Sequence, residues 1–430
     1  MNRQIFPFSE NRISAELADD CICVDLPGSK YIANRILPMA ALAQTPSSIS
    51  NIVDNDDINI AIKGLSALGY QFEQNNDVIK VISRENPLSA PSSLNTGHSG
   101  TFSRFVTAIA ALESQPVTIN CSEKMATRPM APLFEVLKQM GANIISENER
   151  LPAAITGGLQ GGEYEVDASQ SSQYLSALLI VAPLLQKDTV LKIAGEVVSK
   201  NYIDMTLNLQ DKMGINIEQG DNHYIIRGGQ TYQGIEYVIP ADPVSSSYMM
   251  AYAVIAKQKV RIKNYDFDSV QGEAQFYQVL EQMGVGVNRE ANDLLIDGRC
   301  NLYGVEVDLS NMPDVAQTLA VIACFADGVT RITNVEHLAY KESNRIVDTA
   351  NELRKAGIQV EYGSDYLNVH GGKPQAASLE THDDHRMAMS LALLGIKTEG
   401  IVINNHEVVS KSFPTYWDLL DSVGIQSKIV

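Results

Sequence analysis

The chain has 430 residues, and its 33 Lys and Arg against 51 Asp and Glu give a formal net charge of −18 at pH 7. At roughly 150 residues per domain, this length predicts two or three domains. The acidic balance argues against a surface that binds nucleic acid or an anionic membrane. Five cysteines without a C-x-x-C pair, and an N-terminus without an apolar segment, predict a cytoplasmic protein with no signal peptide and no membrane span.

One pattern recurs along the chain: an amphipathic segment ends at a glycine, and two extended segments joined by a polar turn follow it. The residue four positions before the glycine is leucine in five copies and Gln210 in the third. A glycine at this place favours the left-handed conformation that ends a helix. We therefore expect six copies of a helix–strand–turn–strand unit, arranged as two domains of three. The glycines, spaced by 72, 73, 70, 73 and 67 residues, are Gly69, Gly141, Gly214, Gly284, Gly357 and Gly424.

A second kind of helix precedes each of these units, and it is apolar nearly all round. In chain order the six segments read "RILPMAALAQ", "SGTFSRFVTAIAAL", "SSQYLSALLIVAPLL", "SSSYMMAYAVIA", "DVAQTLAVIACFA" and "HRMAMSLALLGI". Helices of this composition are expected to be buried. Each begins with polar residues, so its backbone N–H groups and positive dipole end are expected to meet an anionic ligand. The polar starts are Lys30 with Arg35, Ser99 to Arg104, Ser171 to Gln173, Ser245 to Ser247, Asp314, and Asp384 to Arg386.

The domain boundaries are predicted where one set of three units gives way to the next. The segment "EYVIPADPVSSS" contains Pro240 and Pro243, which suits a crossover near residue 240. The last unit stops at "GIQSKIV" and lacks its second strand, which we expect the N-terminal segment "RISAELADDCICVDLPG" to supply. We therefore predict a first domain over residues 28–240 and a second, discontinuous domain over residues 1–27 plus 241–430.

Residues with ligand-binding chemistry stand at helix starts in the first half of the chain. Lys30 and Arg35 follow a Pro-Gly-Ser turn, and Gly100 opens a helix where the missing side chain lets a ligand approach the backbone. Arg128 precedes the helix that Pro129 opens. Taken alone, each of these has a plain structural interpretation, such as a solvated lysine after a turn.

The second half has three such places. Asp314 begins a buried helix, where it is either an N-cap or a functional carboxylate. The segment "KESNR" brings Lys341, Glu342 and Arg345 into one turn, either as a surface salt bridge or as part of a site. His382–His385 holds two histidines and two aspartates, but no outlying ligand accompanies them, so we expect no metal site.

Nine motifs, taken together and in order, resemble the EPSP synthase family, the 3-phosphoshikimate 1-carboxyvinyltransferases. They are "LPGSK…NR", "GTFSR", "RP", "SSQYLSALL", "SKNYIDMTLNL", "MPDVAQTLA", "KESNR", "DHRMAM" and "KSFP", and they span essentially the whole chain. The resemblance implies an α/β fold of two domains, each an inside-out α/β barrel of three βαβαββ units, with the active site in the cleft between them. It also implies no cofactor, and we expect a monomer.

The reaction implied by this resemblance transfers an enolpyruvyl group from phosphoenolpyruvate to the 5-hydroxyl of shikimate 3-phosphate and releases phosphate. The chemistry needs a proton delivered to the methylene carbon and another taken from the hydroxyl. The catalytic residues implied are Lys30, Asp314 and Glu342. The resemblance assigns phosphoenolpyruvate binding to Lys30, Gly100, Arg128, Gln173, Arg345, Arg386 and Lys411. It assigns acceptor binding to Tyr31, Arg35, Ser171, Ser172, Gln173, Ser199, Tyr202, Asp314, His337 and Lys341.

Several positions depart from the family's pattern, and most of them are expected on the acceptor side. A lost polar contact costs about 1–3 kcal/mol, so these departures together leave the identity of the acceptor open. Three hypotheses remain. The acceptor is shikimate 3-phosphate, with the Tyr31 hydroxyl replacing a serine; or it is another cyclic hydroxy acid or phosphorylated alcohol; or the protein binds anions without turnover. Retention of Asp314 and Glu342 argues against the third hypothesis. The departing residues are Tyr31, Ala33, His98, His337, Ala339, Asn344 and Asp383.

The sister family of UDP-N-acetylglucosamine enolpyruvyl transferases fits this chain less well. That family uses a cysteine a few residues before an Arg-Pro pair. Here Cys121 lies seven residues before Arg128, at the predicted end of a strand and without a basic neighbour that would lower its pKa. We therefore expect Cys121 to have no catalytic role.

Overall fold

The structure is a computed structural model, and it describes residues 1–75, 77–82, 84, 86–195 and 200–430. The chain divides into two compact units. We call Gly28–Ile239 the continuous unit, and Met1–Pro27 with Pro240–Val430 the discontinuous unit. Among the described residues, no helix is long and apolar enough to cross a membrane.

The helices and strands of the described chain are numbered here in chain order. The helices are α1 Lys30–Ala41, α2 Asp56–Ala67, α3 Gly100–Ala110, α4 Glu123–Ala126, α5 Ala131–Gln139, α6 Ser172–Val181, α7 Asn201–Lys212, α8 Pro243–Ala256, α9 Phe276–Gln282, α10 Ala316–Ala323, α11 Arg345–Lys355, α12 His385–Ala392 and α13 Tyr416–Ser422. The strands β1 to β12 are Arg3–Ile5, Leu17–Ala18, Cys21–Val24, Ser47–Ser50, Gln71–Asn75, Val78–Ile82, Ser92–Asn95, Val117–Asn120, Asn143–Ser146, Ala153–Thr156, Glu163–Asp167 and Thr189–Ala194. The strands β13 to β25 are Ile217–Gln219, His223–Ile226, Glu236–Val238, Lys259–Ile262, Gly286–Glu290, Asp293–Asp297, Glu306–Asp308, Val329–Thr333, Val360–Tyr362, Leu367–His370, Ala377–Leu379, Ile401–Ile403 and Ser427–Ile429.

The continuous unit contains three described sheets with one strand pattern. Their orders are β15-β4-β6-β5, β7-β8-β10-β9 and β11-β12-β14-β13. In each sheet the first two strands run parallel, as in the pairing of Ser92 with Val117, and the other neighbours run antiparallel. The hairpin after each helix-ending glycine supplies the last two strands. The helix–strand–turn–strand prediction therefore corresponds to one half of each sheet.

The discontinuous unit repeats this pattern in the orders β19-β20-β22-β21 and β23-β24-β1-β25. Its third sheet repeats the pattern as β3-β16-β18-β17 and adds β2 as a fifth strand, antiparallel to β3. β1 lies between β24 and β25, with Arg3 opposite Ile403 on one side and Ile429 on the other. The strand missing from the last copy is therefore Arg3–Ile5, and our prediction of a strand from the segment after Asn11 was wrong. That segment instead forms β2 and β3, and β3 pairs in parallel with β16.

The predicted barrel is not formed, because none of the six sheets in the described chain closes on itself. Closure requires the first and last strands of a sheet to hydrogen-bond to each other. Here each sheet keeps two edge strands, and no ladder joins one described sheet to another. The architecture is a mixed α/β fold of open sheets.

The apolar helices form the interior of each unit, as predicted. All fourteen residues of α8 are buried, and so are all eight of α10 and of α12. In the continuous unit, α1, α3 and α6 are buried along nearly their whole length. Burying the backbone of these helices leaves their N-terminal ends and the loops before them as the places where polar side chains gather.

The six helix-ending glycines adopt the left-handed conformation, with φ between +79° at Gly357 and +111° at Gly141. At Gly141 a Cβ atom would lie 2.6 Å from the carbonyl oxygen of Gly158. A side chain there would meet both backbone strain and a steric clash. The prediction that each of these glycines ends its helix in the left-handed conformation is confirmed.

Candidate active site

Two arginines meet the start of α3 in the continuous unit. A Cβ on Gly100 would lie 2.6 Å from Nη1 of Arg104 and 2.6 Å from Nη1 of Arg128. Arg104 donates to the carbonyl of Gly100 at 2.8 Å and is buried. Within the described residues neither arginine has a carboxylate partner, so two guanidinium groups and a helix N-terminus offer one place for an anion.

The start of α6 contributes the neutral polar groups predicted there. Ser171 caps the helix by accepting a hydrogen bond from the backbone N–H of Gln173 at 3.3 Å. The Gln173 amide donates to the hydroxyl of Thr101 at 3.0 Å, which ties the first turn of α6 to that of α3. Ser172 is buried at the same helix start. The structure thus brings Gln173 beside the residue that follows Gly100.

Lys30 lies at the start of α1 beside Asp57, at the start of α2. Its ammonium is 3.6 Å from a carboxylate oxygen of Asp57, and both side chains are only 12% exposed. The same ammonium lies 5.6 Å from the ring centroid of Tyr31. An ion pair with this little exposure holds the lysine in one orientation more firmly than a solvated one does. This arrangement excludes the interpretation of Lys30 as a solvated lysine.

Three predicted acceptor residues come together beside Lys30. The rings of Tyr31 and Tyr202 are 5.0 Å apart, and the Arg35 guanidinium lies 5.6 Å from the centroid of the Tyr202 ring. Arg35 also donates to the backbone carbonyl of Tyr31 and to the hydroxyl of Thr206. Burial lowers the pKa of Arg35 to about 10. Ser199, the remaining acceptor residue predicted in this half, lies outside the described residues.

Arg345 is the centre of a buried charge cluster in the discontinuous unit. It opens α11 and donates to Asp384 through Nε at 2.7 Å and through Nη2 at 3.2 Å. Nη1 donates to Asp314 at 2.8 Å, and Nη2 also donates to Glu342 at 3.0 Å. Burial alone would lower the pKa of Arg345, but the three carboxylates raise it above the ordinary value. The surface salt bridge considered for this turn is therefore excluded.

Glu342 lies between two cations. One of its oxygens accepts from Arg345, and the other accepts from the Lys411 ammonium at 2.5 Å. Burial would raise the pKa of Glu342, but Arg345, Lys411 and His385 together hold it far below its ordinary value. Glu342 is therefore ionised at neutral pH.

Asp314 occupies a 3₁₀ turn, Pro313–Val315, immediately before α10. Its carboxylate faces three cations: Arg345 at 2.8 Å, Arg386 at 3.6 Å and Lys341 at 3.9 Å. The Arg386 guanidinium also donates to the hydroxyl of Tyr248 at 3.3 Å. The structure thus joins six predicted residues into one cluster: Asp314, Lys341, Glu342, Arg345, Arg386 and Lys411.

His337 lies at the edge of this cluster. Burial and the charge of Lys341 lower its pKa, so the imidazole is neutral at pH 7. Its Nε2 is buried without a hydrogen-bond partner in the described structure. His337, Ala339 and Asn344, three of the departures from the family pattern, line one cavity of about 570 Å³ together with Tyr340, which is 88% exposed.

The His382–His385 segment contacts α11 and caps α12. His382 lies 2.8 Å from a carboxylate oxygen of Glu352 on α11, and Asp384 caps α12 through the backbone N–H of Arg386. Among the described residues, no group of three or more His, Cys, Asp or Glu is arranged to hold a metal ion. Burial raises the pKa of the Cys121 thiol, which makes it a poor nucleophile.

Four charged residues with direct contacts in these clusters were missing from the predicted sites: Asp57, Arg104, Glu273 and Asp384. Arg104 and Asp384 stand inside motifs that were recognised, so their position was a usable signal. Glu273 is 1% exposed and accepts a hydrogen bond from the backbone N–H of Asp314 at 3.4 Å. Nothing local in the sequence marks Glu273 or Asp57, because their partners are distant along the chain.

The comparisons with known proteins agree on one family. A family model described as EPSP synthase (3-phosphoshikimate 1-carboxyvinyltransferase) matches residues 22–420. A protein named 3-phosphoshikimate 1-carboxyvinyltransferase from Photobacterium profundum is 39% identical over 407 residues, covering 92% of this chain and 95% of the relative. One of the same name from Serratia proteamaculans is 38% identical, with the same coverage. A solved EPSP synthase from Acinetobacter baumannii has a TM-score of 0.85 at 24% identity, covering 99% of both chains, and is similar in fold.

Proposed function

Since the chain belongs to the EPSP synthase (3-phosphoshikimate 1-carboxyvinyltransferase) family, we propose that the charged clusters of its two units serve one reaction. That reaction transfers the enolpyruvyl group of phosphoenolpyruvate to the 5-hydroxyl of shikimate 3-phosphate and releases phosphate. It is a step of the shikimate pathway, which leads to the aromatic amino acids. The observation that carries the assignment of residues is the pairing of carboxylates and cations around Arg345.

We assign phosphoenolpyruvate to the cations whose positions suit a phosphate and a carboxylate. In the continuous unit, these are Arg128 at Gly100, and Lys30. Gln173 adds an amide near the same helix start. In the discontinuous unit, Arg345, Arg386 and Lys411 are proposed to bind the same substrate. Arginine suits planar, bidentate contacts with such groups, and a glycine at the helix start gives the anion access to backbone N–H groups.

The proton transfers are assigned to the two carboxylates of the cluster. Asp314 is proposed to take the proton of the attacking hydroxyl. Glu342 is ionised in the absence of substrates, so it is proposed to deliver a proton to the methylene carbon only after receiving one. In the elimination step, the ionised Glu342 takes a proton back. Lys30 is proposed to assist the departure of phosphate by offsetting its charge.

The acceptor is assigned to the aromatic and hydroxyl groups of the continuous unit and to the edge of the charge cluster. Tyr31 and Tyr202 form an adjacent pair of rings that suits a carbocycle, and His337 with Lys341 is proposed to bind the phosphate. Arg35 is buried, donates to the backbone carbonyl of Tyr31 and faces the Tyr202 ring, so we propose that it acts on the acceptor through these two tyrosines. The names of the curated relatives favour shikimate 3-phosphate over another hydroxy acid. The remaining assigned acceptor residues are Ser171, Ser172, Gln173, Ser199 and Asp314.

We also propose a domain organisation and a working form. The domains are residues 28–240 and residues 1–27 plus 241–430, and each is built from three βαβαββ units, six in all. The working form is a monomer in the cytoplasm. The free cysteines among the described residues support a reducing compartment, and sedimentation of the purified protein tests the monomer.

The assignment of the donor site is tested by the Michaelis constant for phosphoenolpyruvate. Arg128→Gln and Lys411→Gln each remove one charged contact, worth about 1.5–3 kcal/mol, so each is expected to raise this constant roughly 10- to 150-fold. Lys373→Gln, an exposed lysine outside both clusters, is the matched control and is expected to change nothing. An unchanged constant in either site variant would remove that residue from the donor site.

A further inference from the structure

A buried carboxylate that the reaction scheme does not use contacts the backbone of Asp314. Glu273 belongs to the 3₁₀ turn Gly272–Gln275 that leads into α9, and it is 1% exposed. Its Oε1 accepts a hydrogen bond from the backbone N–H of Asp314 at 3.4 Å. The turn that carries Asp314 is therefore attached through its own backbone to a second acid.

The groups around Glu273 decide its charge. Asp314 faces it from the neighbouring turn, and Lys341 adds a more distant positive charge. Tyr265 donates its hydroxyl to the carbonyl of Ala274, and α8, which packs against the turn, carries Asp242 at its N-cap. Burial and the negative charge of Asp314 raise the pKa of Glu273 to about 7. Two buried carboxylates this close resist being ionised together.

We propose that Glu273 is a positioning residue for Asp314. Glu273 holds the turn that carries Asp314 and adjusts the charge of the acceptor side by gaining or losing one proton. This inference rests on the proposed function for its kinetic consequence, but not for the titration itself. With the proton bound, the neutral carboxyl leaves Lys341 to act fully on an anionic acceptor. With the proton lost, an additional negative charge faces Asp314 and offsets part of the Lys341 charge.

The first test compares the wild type with Glu273→Gln, which keeps the accepting oxygen and resembles the protonated acid. The Michaelis constant for shikimate 3-phosphate is measured from pH 6 to pH 8.5. The ratio of wild-type to variant values is used, because the substrate phosphate itself titrates near pH 6. We expect this ratio to rise at least threefold across the range. A ratio that stays constant would overturn the proposal.

Two further variants separate charge from structure. Glu281→Gln, at the exposed end of α9, is the matched control and should show the wild-type pH dependence. Glu273→Asp retains a titratable group. The ratio of its Michaelis constant to that of Glu273→Gln should therefore rise with pH, as the wild-type ratio does. If Glu273→Asp and Glu273→Gln instead behave alike at every pH, the contact is structural only and the proposal is wrong.

A second test needs no turnover, so it distinguishes failure of this inference from failure of the proposed function. A carboxyl whose folded pKa lies above its unfolded value, about 4.3 for Glu, stabilises the fold below that value, and this stability is lost as the pH rises through the folded pKa. The urea midpoint of Glu273→Gln minus that of the wild type should therefore increase between about pH 4.5 and pH 7.5 and then level off. A difference that is flat over this range would refute the titration of Glu273.

Discussion

Replacing Asp384 by asparagine removes one carboxylate from the cluster around Arg345. Asp384 is fully buried, and Arg345 donates to both of its oxygens, at 2.7 and 3.2 Å. Its Oδ1 also caps α12 by accepting from the backbone N–H of Arg386 at 2.9 Å. An asparagine oxygen can keep the cap, but its NH₂ group would then face the N–H donors of Arg345.

The size of the effect follows from the pairs that remain. Breaking a buried ion pair by removing one partner costs about 3–5 kcal/mol. Arg345 keeps Asp314 and Glu342, so we expect the lower end, a loss of about 3 kcal/mol in the free energy of unfolding. With a urea m-value of about 3 kcal/mol/M, the midpoint should fall by about 1 M.

The assay uses the single tryptophan of the chain. Trp417 lies in α13 and is 6% exposed in the core of the discontinuous unit, so its fluorescence follows the unfolding of the unit that contains Asp384. Asp383→Asn is the matched control, because Asp383 is exposed and has φ +56°, which asparagine tolerates. We expect a control change within about 0.5 kcal/mol. Equal midpoints for the two variants would refute the claim that the Arg345 cluster is a stabilising centre.

Four further outcomes are expected. Asp314→Asn and Glu342→Gln should each lower kcat by about 10²–10⁴ with unchanged circular dichroism, and near-normal rates would exclude either residue as a proton carrier. Tyr31→Phe should weaken shikimate 3-phosphate binding by about 0.5–1.5 kcal/mol with phosphoenolpyruvate binding unchanged, and equal losses for both substrates would place Tyr31 elsewhere. The pKa of Glu342 is lower in the folded than in the unfolded protein, so its ionised form stabilises the fold above the unfolded pKa of about 4.3, and this stability is lost as the pH falls towards the folded pKa. The difference in urea midpoint between wild type and Glu342→Gln should therefore shrink below pH 4. A difference that stays constant would contradict this. Treatment with a metal chelator should leave the rate of turnover unchanged. A loss of activity that a divalent ion restores would show that a metal is required.

Local signals in the sequence predicted the parts of the fold that depend on local physics. The left-handed glycines end their helices because Gly alone adopts that conformation without strain, and α8 is buried because it has no polar face. The strand from Arg3–Ile5 was missed because three residues are too few to show an alternating pattern, whereas "CICV" has a stronger signal and pairs with another sheet.

The residues of the candidate site also divide into those that local sequence marks and those that it does not. Asp314, Glu342 and Arg345 were predicted from recognised motifs, and the pairing of Glu342 with Arg345 was expected from their spacing within one turn. The contacts of Arg345 with Asp314 and Asp384 were not predicted, because these residues lie 31 and 39 positions away along the chain. The role of Glu273 depends on the packing of one 3₁₀ turn against another, which local sequence does not encode. The barrel prediction was wrong because a strand count does not determine whether the edges of a sheet meet.

The central claim is enolpyruvyl transfer to shikimate 3-phosphate, and one measurement tests it directly. The purified protein is mixed with phosphoenolpyruvate and shikimate 3-phosphate, and the phosphorus NMR spectrum is followed with time. We expect both substrates to disappear at the rate at which phosphate and one new phosphate ester form, with no reaction when either substrate is left out. A folded protein that binds phosphoenolpyruvate yet releases no phosphate in the presence of shikimate 3-phosphate would contradict the account.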